Sequence, residues 1–245
     1  MMKKSEPTEL HRLPNSPVTR FLALILRLFY RRKVRGSENI DSSKASVFVC
    51  NHGLAFGPIT AVLHLPVRFR PWINACMLDR GEAESTMENT FRDKLKFLGP
   101  KAKKRLFIIA SRFVCHVLNS FEPIPVFKGD PRKSVETISL SVDALKRGEN
   151  LLIFPEKPVD RYDEESFKAF NTGFAALGRV YYRQTGLSLS FYPVFSDGHT
   201  HTFIIGEPVT FNPENEARSE KIRISSELQG RMTGLRDKLH EALHK

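Results

Sequence analysis

Two short apolar runs, each followed by a residue capable of acid–base chemistry, constrain this sequence more than any other feature. Val47-Phe48-Val49-Cys50 leads directly into Asn51-His52, and Leu151-Leu152-Ile153 leads into Phe154-Pro155-Glu156. Apolar runs of this length, bounded by polar residues, are typical of buried strands. Open α/β sheets build reactive clefts from side chains that follow the C-terminal ends of their strands. His52 at such a position can act as a general base near neutral pH.

The rest of the sequence alternates between strand-like and helix-like segments after Gly36. Asp197-Gly198, between two apolar runs, is a strong signal for a β-hairpin near the C-terminus. This order predicts a single α/β domain with a mostly parallel or mixed central sheet flanked by helices, over residues 36–245. Further strands are predicted at 72–78 and 124–127, and helices from 58 and at 101–119, 134–147, 171–183 and 216–244, the last less regular near Gly230 and Gly234.

Residues 1–35 are predicted to form an N-terminal tail and an amphipathic helix. Ser16-Pro17 is a typical helix start, and apolar residues then recur at helical spacing: Val18, Phe21, Leu22, Ile25, Leu28 and Phe29. Basic residues occupy the other face and the end of this segment. Such a helix suits an anionic membrane interface, or it packs on the domain with a solvated basic edge. The apolar stretch is too short for a transmembrane span, which needs roughly 20 residues.

Composition narrows the possible partners. The chain of 245 residues has a formal net charge of +11, so anionic partners are expected. The basic residues gather beside apolar helical segments and not among aromatic residues on a sheet, which favours lipid over nucleic acid. Three cysteines without a CxxC pair indicate a reducing, intracellular setting. Cys50 beside His52 is a conceivable nucleophile, but adjacent strand residues point to opposite faces, which favours a core role.

Four blocks in the sequence resemble those of the glycerolipid acyltransferase family, which includes the lysophosphatidic acid acyltransferases. The first is Val34-Arg35-Gly36 through the strand to Asn51-His52, and the second is Ile124-Pro125-Val126-Phe127-Lys128-Gly129-Asp130 with Arg132 following. The third is Ile153-Phe154-Pro155-Glu156 with Asn171-Thr172-Gly173-Phe174 downstream, and the fourth is Tyr192-Pro193-Val194. Their order and spacing cover roughly residues 34–210, and it is the combination that is specific.

The resemblance implies a chemistry and a set of site residues. His52 would deprotonate an acceptor hydroxyl, which then attacks the thioester carbonyl of acyl-CoA or acyl-carrier protein. Lys128 or Arg132 would contact the phosphate of a lysophospholipid acceptor such as 1-acylglycerol-3-phosphate, and Glu156 would belong to the acceptor site. No metal or organic cofactor is implied. The protein is then expected at the cytoplasmic face of a membrane, as a peripheral enzyme of phospholipid biosynthesis.

The sequence departs from the family pattern at several positions. Gly57 stands where the family has an aspartate that orients the histidine, and Lys128 stands where arginine is more usual. Lys157-Pro158-Val159 replaces the usual glycine, threonine and arginine, so the next candidate arginine is Arg161, two places late. In a serine protease, neutralising the carboxylate that orients the catalytic histidine lowers turnover about 10⁴-fold.

Three interpretations of Gly57 follow. Another carboxylate, such as Asp79 or Asp160, reaches His52 in the fold. Alternatively, a diverged enzyme works without a carboxylate partner on an unusual acceptor. The third is a catalytically impaired pseudoenzyme that retains lipid or membrane binding. We favour the enzyme, because His52 and Glu156 are both present.

Overall fold

A central sheet of eight strands forms the frame of the protein. The computed structural model describes residues 14–52, 56–91, 95, 98–127, 129–156 and 170–242. The strands are β1 Lys33–Arg35, β2 Val47–Cys50, β3 Phe69–Asn74, β4 Ile124–Val126, β5 Asn150–Ile153, β6 Ser190–Asp197, β7 Thr202–Ile205 and β8 Val209–Thr210. The helices are α1 Pro17–Phe29, α2 Phe56–His64, α3 Arg80–Phe91, α4 Pro100–Asn119, α5 Pro131–Lys146, α6 Ala176–Thr185 and α7 Ala217–Glu241.

The strand order is β1-β7-β6-β2-β5-β3-β4, and β8 pairs with β6. Five of the pairings are parallel, whereas β6 pairs antiparallel with both β7 and β8. The hairpin predicted at Asp197-Gly198 is the β6–β7 connection, with Val194 opposite Ile205. The prediction of a single α/β domain with a mixed sheet flanked by helices is therefore confirmed.

The central strand β2 is buried on both faces. Val47 and Val49 pack into the core on one side of the sheet, whereas Phe48 and Cys50 pack into the core on the other side. Helices cover both faces of such a sheet, so each residue of the strand needs an apolar side chain. This explains why β2 appears in the sequence as an uninterrupted apolar run.

Some predicted boundaries need correction. The predicted strand at 72–78 begins earlier, at Phe69, and ends at Asn74, where a 3-10 turn follows. Its limits follow from its neighbours, because its first half pairs with β5 and its second half with β4. The terminal helix α7 runs through Gly230 and Gly234 without interruption. Buried side chains at Leu228 and Met232 hold that stretch against the core.

A single buried carboxylate anchors the start of α7. Glu220 is 1% exposed and accepts hydrogen bonds from the Asn212 backbone N–H, the Asn215 side chain and the Arg223 guanidinium. Burial alone would raise the pKa of Glu220, but these hydrogen bonds outweigh it and lower the pKa to about 2. The ionised carboxylate therefore fastens the helix to the preceding loop.

Helix α1 is attached to the domain in an unusual orientation. Its buried residues are Thr19 and Ala23, which are small. Six of its large apolar side chains are 36% to 79% exposed, and Leu22 and Leu26 are half-buried. Arg27 Nε donates to the Leu63 carbonyl oxygen at 2.9 Å, so a basic side chain faces the protein. In the described part of the chain, no helix is both long and apolar enough to cross a bilayer.

Candidate active site

Parallel pairing of β2 with β5 brings the first and third sequence blocks together. Val49 lies opposite Ile153, and His52 and Glu156 each follow this pair by three residues at the same end of the two strands. The fourth block lies in β6, on the other side of β2, where Val49 pairs with Pro193. Three of the four blocks therefore occupy adjacent strands, and their polar residues follow the carboxyl ends of β2 and β5.

Asn51 fixes the end of β2 to β6. Its side chain is buried, its Nδ2 donates to the Ser196 carbonyl oxygen at 3.1 Å, and its Oδ1 accepts from the Ser196 N–H at 2.8 Å. The side-chain amide thus makes the pair of hydrogen bonds that a backbone peptide group would make with β6, at the point where the chain leaves the sheet. Because both bonds are buried, the residue before His52 is held in one position.

His52 is exposed and lies just after the carboxyl end of β2. Its ring meets the ring of Phe154, which follows β5, edge to face at 5.6 Å between centroids. The contact gives one side of the imidazole an apolar wall. An exposed imidazole on a fixed backbone is accessible to a bulky substrate and suits proton transfer near neutral pH.

Cys50 is part of the core, as the sequence analysis favoured. It is fully buried, and both burial and the negative charge of Glu156 raise the pKa of its thiol. A thiol held protonated is a poor nucleophile.

The backbone leaves no space for a side chain at Gly57. A Cβ atom there would lie 2.0 Å from the Asn51 carbonyl oxygen and 2.8 Å from the His52 carbonyl oxygen. The Gly57 N–H instead donates to the His52 carbonyl oxygen at 3.2 Å. The start of α2 therefore packs directly against the His52 backbone, at the position where the glycerolipid acyltransferase pattern that the sequence resembles has an aspartate.

Asp79 and Asp160 are the two carboxylates that, from the sequence, could replace the aspartate missing at Gly57. Asp79 Oδ1 accepts hydrogen bonds from the backbone N–H groups of Gly81 and Glu82, so this residue caps α3. Asp160 lies outside the described residues. Among the residues that the structure describes, no group of three or more histidine, cysteine or acidic side chains is arranged to hold a metal ion.

The second sequence block follows the carboxyl end of β4, three strands away from β2 in the sheet. Arg132 is exposed in the first turn of α5, after β4, and its N–H is capped by the Asp130 side chain. Strands β5 and β3 separate β4 from β2, which corresponds to roughly 14 Å at the usual strand spacing. Lys133 places its ammonium group 5.0 Å from the centre of the Phe127 ring. Lys128 and Arg161 lie outside the described residues.

Comparison with solved structures finds a distant similarity. The chain is similar to the 1-acyl-sn-glycerophosphate (LPA) acyltransferase PlsC from Thermotoga maritima, at 16% sequence identity and a TM-score of 0.42. The match covers 87% of this chain and 81% of that chain. No protein-family model matches the sequence, and no curated protein matches it at a significant level. Similarity at this level assigns neither an activity nor a substrate.

Sequence analysis missed a buried carboxylate at the end of β6. Asp197 accepts hydrogen bonds from the backbone and hydroxyl of Thr200, and its Oδ1 lies 3.4 Å from His240 Nε2. Burial would raise the pKa of Asp197, but the bonds from Thr200 and His240 outweigh it and lower the pKa. The Asp197-Gly198 pair was interpreted as a turn signal alone, and only the pairing of β6 with β2 brings this carboxylate to the same edge of the sheet as His52.

Proposed function

We propose that this protein is an acyltransferase that moves a fatty acyl group from acyl-CoA or acyl-carrier protein to the hydroxyl of a lysophospholipid-type acceptor, such as 1-acylglycerol-3-phosphate, in phospholipid biosynthesis. The observation that carries the proposal is the parallel register of β2 and β5. It brings together the ends of the two strands that His52 and Glu156 follow, although these residues are far apart in the sequence. The four sequence blocks support the same chemistry.

In the proposed reaction, the exposed imidazole of His52 acts as the general base. His52 accepts the proton of the acceptor hydroxyl as its oxygen attacks the thioester carbonyl carbon. The tetrahedral intermediate then collapses, the carbon–sulfur bond breaks, and the departing sulfur takes the proton from the imidazolium. The products are the ester and the free thiol, and His52 is again neutral. No metal ion or organic cofactor enters these steps.

The acceptor would bind along the carboxyl edge of the sheet. Glu156 would shape the acceptor site beside His52, and Arg132 and Lys128, with Arg161 as a further candidate, would hold the phosphate. Arginine binds phosphate through two parallel N–H groups of its planar guanidinium, whereas lysine offers a single compact positive charge. Because β4 lies roughly 14 Å from β2, the long side chains of Lys128 and Arg132 would extend towards the phosphate of an acceptor whose hydroxyl lies at His52.

The protein would act as a peripheral enzyme at the cytoplasmic face of a membrane. The outward apolar residues of α1 support this placement, because a helix that used them to pack on the domain would bury them. An apolar face exposed beside arginines suits the boundary between lipid headgroups and acyl chains. The acyl chains of donor and acceptor would then be supplied from the membrane.

Acyl transfer from a panel of acyl-CoA and acyl-carrier-protein donors to lysophosphatidic acid and related lysolipids tests the proposal. We expect transfer by the unaltered protein and a loss of at least about 100-fold in His52→Ala, since a general base contributes about 10²–10⁴-fold. His199→Ala, at an exposed histidine on the β6–β7 turn, is the matched control and should retain activity. Equal rates in both variants would refute the role of His52.

The second candidate is a catalytically impaired lipid-binding protein. It is favoured by Gly57, because the backbone there cannot hold the carboxylate that the related enzymes use. Absence of transfer with every donor and acceptor, together with binding to phospholipid vesicles, would select this alternative.

A further inference from the structure

Two segments carry all of the net positive charge of this chain. Residues 14–35 contain six arginines and lysines and α4 contains five, and neither segment contains an acidic residue. The remaining sequence holds 27 basic and 27 acidic residues and is electrically balanced. The charge of +11 is therefore not a general surface property but belongs to α1 with its following strand and to α4.

Helix α4 has two apolar faces. One contains Phe107 and Cys115, which are buried against the domain. The other contains Leu106, Ile109 and Phe113, which are between 42% and 57% exposed. A helix that only packs on a domain needs one apolar stripe. The second row has the spacing of a helical face, so it forms a continuous apolar surface directed away from the core.

Basic residues follow the exposed apolar row of α4 along one side. Lys101, Arg105 and Arg112 are exposed and, at helical spacing, form a line next to Ile109. A helix of this composition presents apolar side chains flanked by cations. That is the pattern of a helix lying in the interface of an anionic membrane, whereas lysine is depleted in the interfaces of protein partners.

The two helices are joined at the ends of their exposed faces. Ser16 Oγ, at the cap of α1, is 2.8 Å from His116 Nε2, and the Asn15 N–H donates to the Ser120 carbonyl oxygen at 2.9 Å. His116 is exposed and lies less than one turn after Phe113. The apolar residues of α1 begin two residues after Ser16, so the two exposed rows meet at this junction.

We propose that α4 is a second membrane-contact element, and that α1 and α4 together form one platform that docks on the surface of an anionic bilayer. The proposal rests on the membrane association proposed above and extends it to a part of the chain far from the N-terminus. The apolar rows enter the boundary between headgroups and acyl chains, and the basic residues contact lipid phosphates. Two helices joined at one end give the domain a defined orientation on the membrane, which a single helix does not.

Vesicle flotation with the full chain tests the platform. The vesicles contain phosphatidylcholine alone, or phosphatidylcholine with about 30% phosphatidylglycerol, an anionic fraction that gives a strong surface potential. In Leu106→Ser/Ile109→Ser/Phe113→Ser, binding to anionic vesicles should fall about tenfold or more, because the exposed apolar area available for insertion is removed. The matched control is Val135→Ser/Leu187→Ser/Ile222→Ser, which removes three aliphatic side chains that are 51% to 69% exposed elsewhere, and it should bind like the unaltered protein.

A charge variant tests the electrostatic part separately. Arg105→Gln/Arg112→Gln should weaken binding to anionic vesicles about 30-fold at low salt, from roughly fivefold per basic residue near the surface, and should leave the weak binding to phosphatidylcholine unchanged. The difference should shrink as salt is raised, since the Debye length falls to about 3 Å at 1 M.

The possible outcomes separate the role of α4 from that of α1 and from acyl transfer. Unchanged vesicle binding in the α4 serine variant, with α1 variants impaired, would refute the role of α4 and leave α1 as the contact. A dimer of the unaltered protein that the α4 variant dissociates, by light scattering, would assign the surface to a second copy of the chain and overturn the proposal. If vesicle binding depends on α4 but the protein transfers no acyl group, the membrane platform is supported and only the proposed enzymatic activity is refuted.

Discussion

Replacing Gly57 tests whether the missing aspartate can be restored at its usual position. The Cβ of any other residue would lie 2.0 Å from the Asn51 carbonyl oxygen, whereas non-bonded carbon and oxygen atoms need roughly 3.3 Å. The start of α2 or the segment after β2 must then move by about 1.3 Å. Forcing extra atoms into a packed site costs about 1–3 kcal/mol, which corresponds to a fall in melting temperature of about 2–12 °C for a domain of this size.

The assay compares Gly57→Ala and Gly57→Asp with the unaltered protein by thermal unfolding and by acyl transfer. Both variants should be destabilised by a similar amount, because the clash arises at the Cβ and not at the carboxylate. Gly230→Ala is the matched control. Its Cβ meets no atom within 4 Å inside a helix, so it should stabilise the protein by about 0.5–1 kcal/mol. The same substitution should thus have opposite signs at the two positions.

The activity of Gly57→Asp decides between the interpretations. The displaced backbone carries Asn51 and His52, so we expect acyl transfer to fall and not to rise. A Gly57→Asp variant that unfolds at the same temperature as the unaltered protein and transfers acyl groups faster would refute this reasoning. It would show that the backbone accommodates a side chain there and that the lost carboxylate limits the rate.

The remaining predictions concern stability, the site backbone and membrane binding. The pKa of Glu220 is lowered to about 2, so its ionised form stabilises the fold above the unfolded pKa of about 4.3, and this contribution is lost as the pH falls towards 2. Thermal unfolding of Glu220→Gln should show a loss of about 2–3 kcal/mol at pH 7 and a weaker dependence on acid, and an unchanged acid dependence would contradict the assignment. Asn51→Ala leaves two buried backbone groups of Ser196 without partners and should cost about 2 kcal/mol or more in urea unfolding, with acyl transfer reduced as well. Phe21→Ser/Leu28→Ser should weaken vesicle binding without lowering the melting temperature, because both side chains are exposed; a fall in the melting temperature would indicate a packing role instead.

Much of the architecture follows from local sequence patterns. The run from Val47 to Cys50 is apolar at every position because β2 is covered on both faces, and that pattern can be recognised without knowing its neighbours. The hairpin at Asp197-Gly198 is equally local, since its turn residues connect adjacent strands. The boundaries of β3 were less predictable, because they depend on where β4 and β5 pair with it.

The candidate site could be predicted in its components but not in its geometry. The sequence indicates His52 and Glu156 as residues that follow strands, and the parallel pairing of β2 with β5 brings the ends of those strands together. It indicates Gly57 as a departure from a family pattern, but it does not show that a Cβ there meets a carbonyl oxygen at 2.0 Å. That distance arises from how α2 packs on the end of β2.

The helices α1 and α4 show most clearly what sequence and tertiary structure each determine. Apolar periodicity by itself predicted a helix in both segments, because spacing along the chain sets which side chains share a face. It could not establish which face the domain buries. In α1 the buried positions are Thr19 and Ala23, and most of the larger apolar side chains are exposed. That choice depends on the shape and hydrogen bonds of the surface that receives the helix, and these come from segments distant in the sequence.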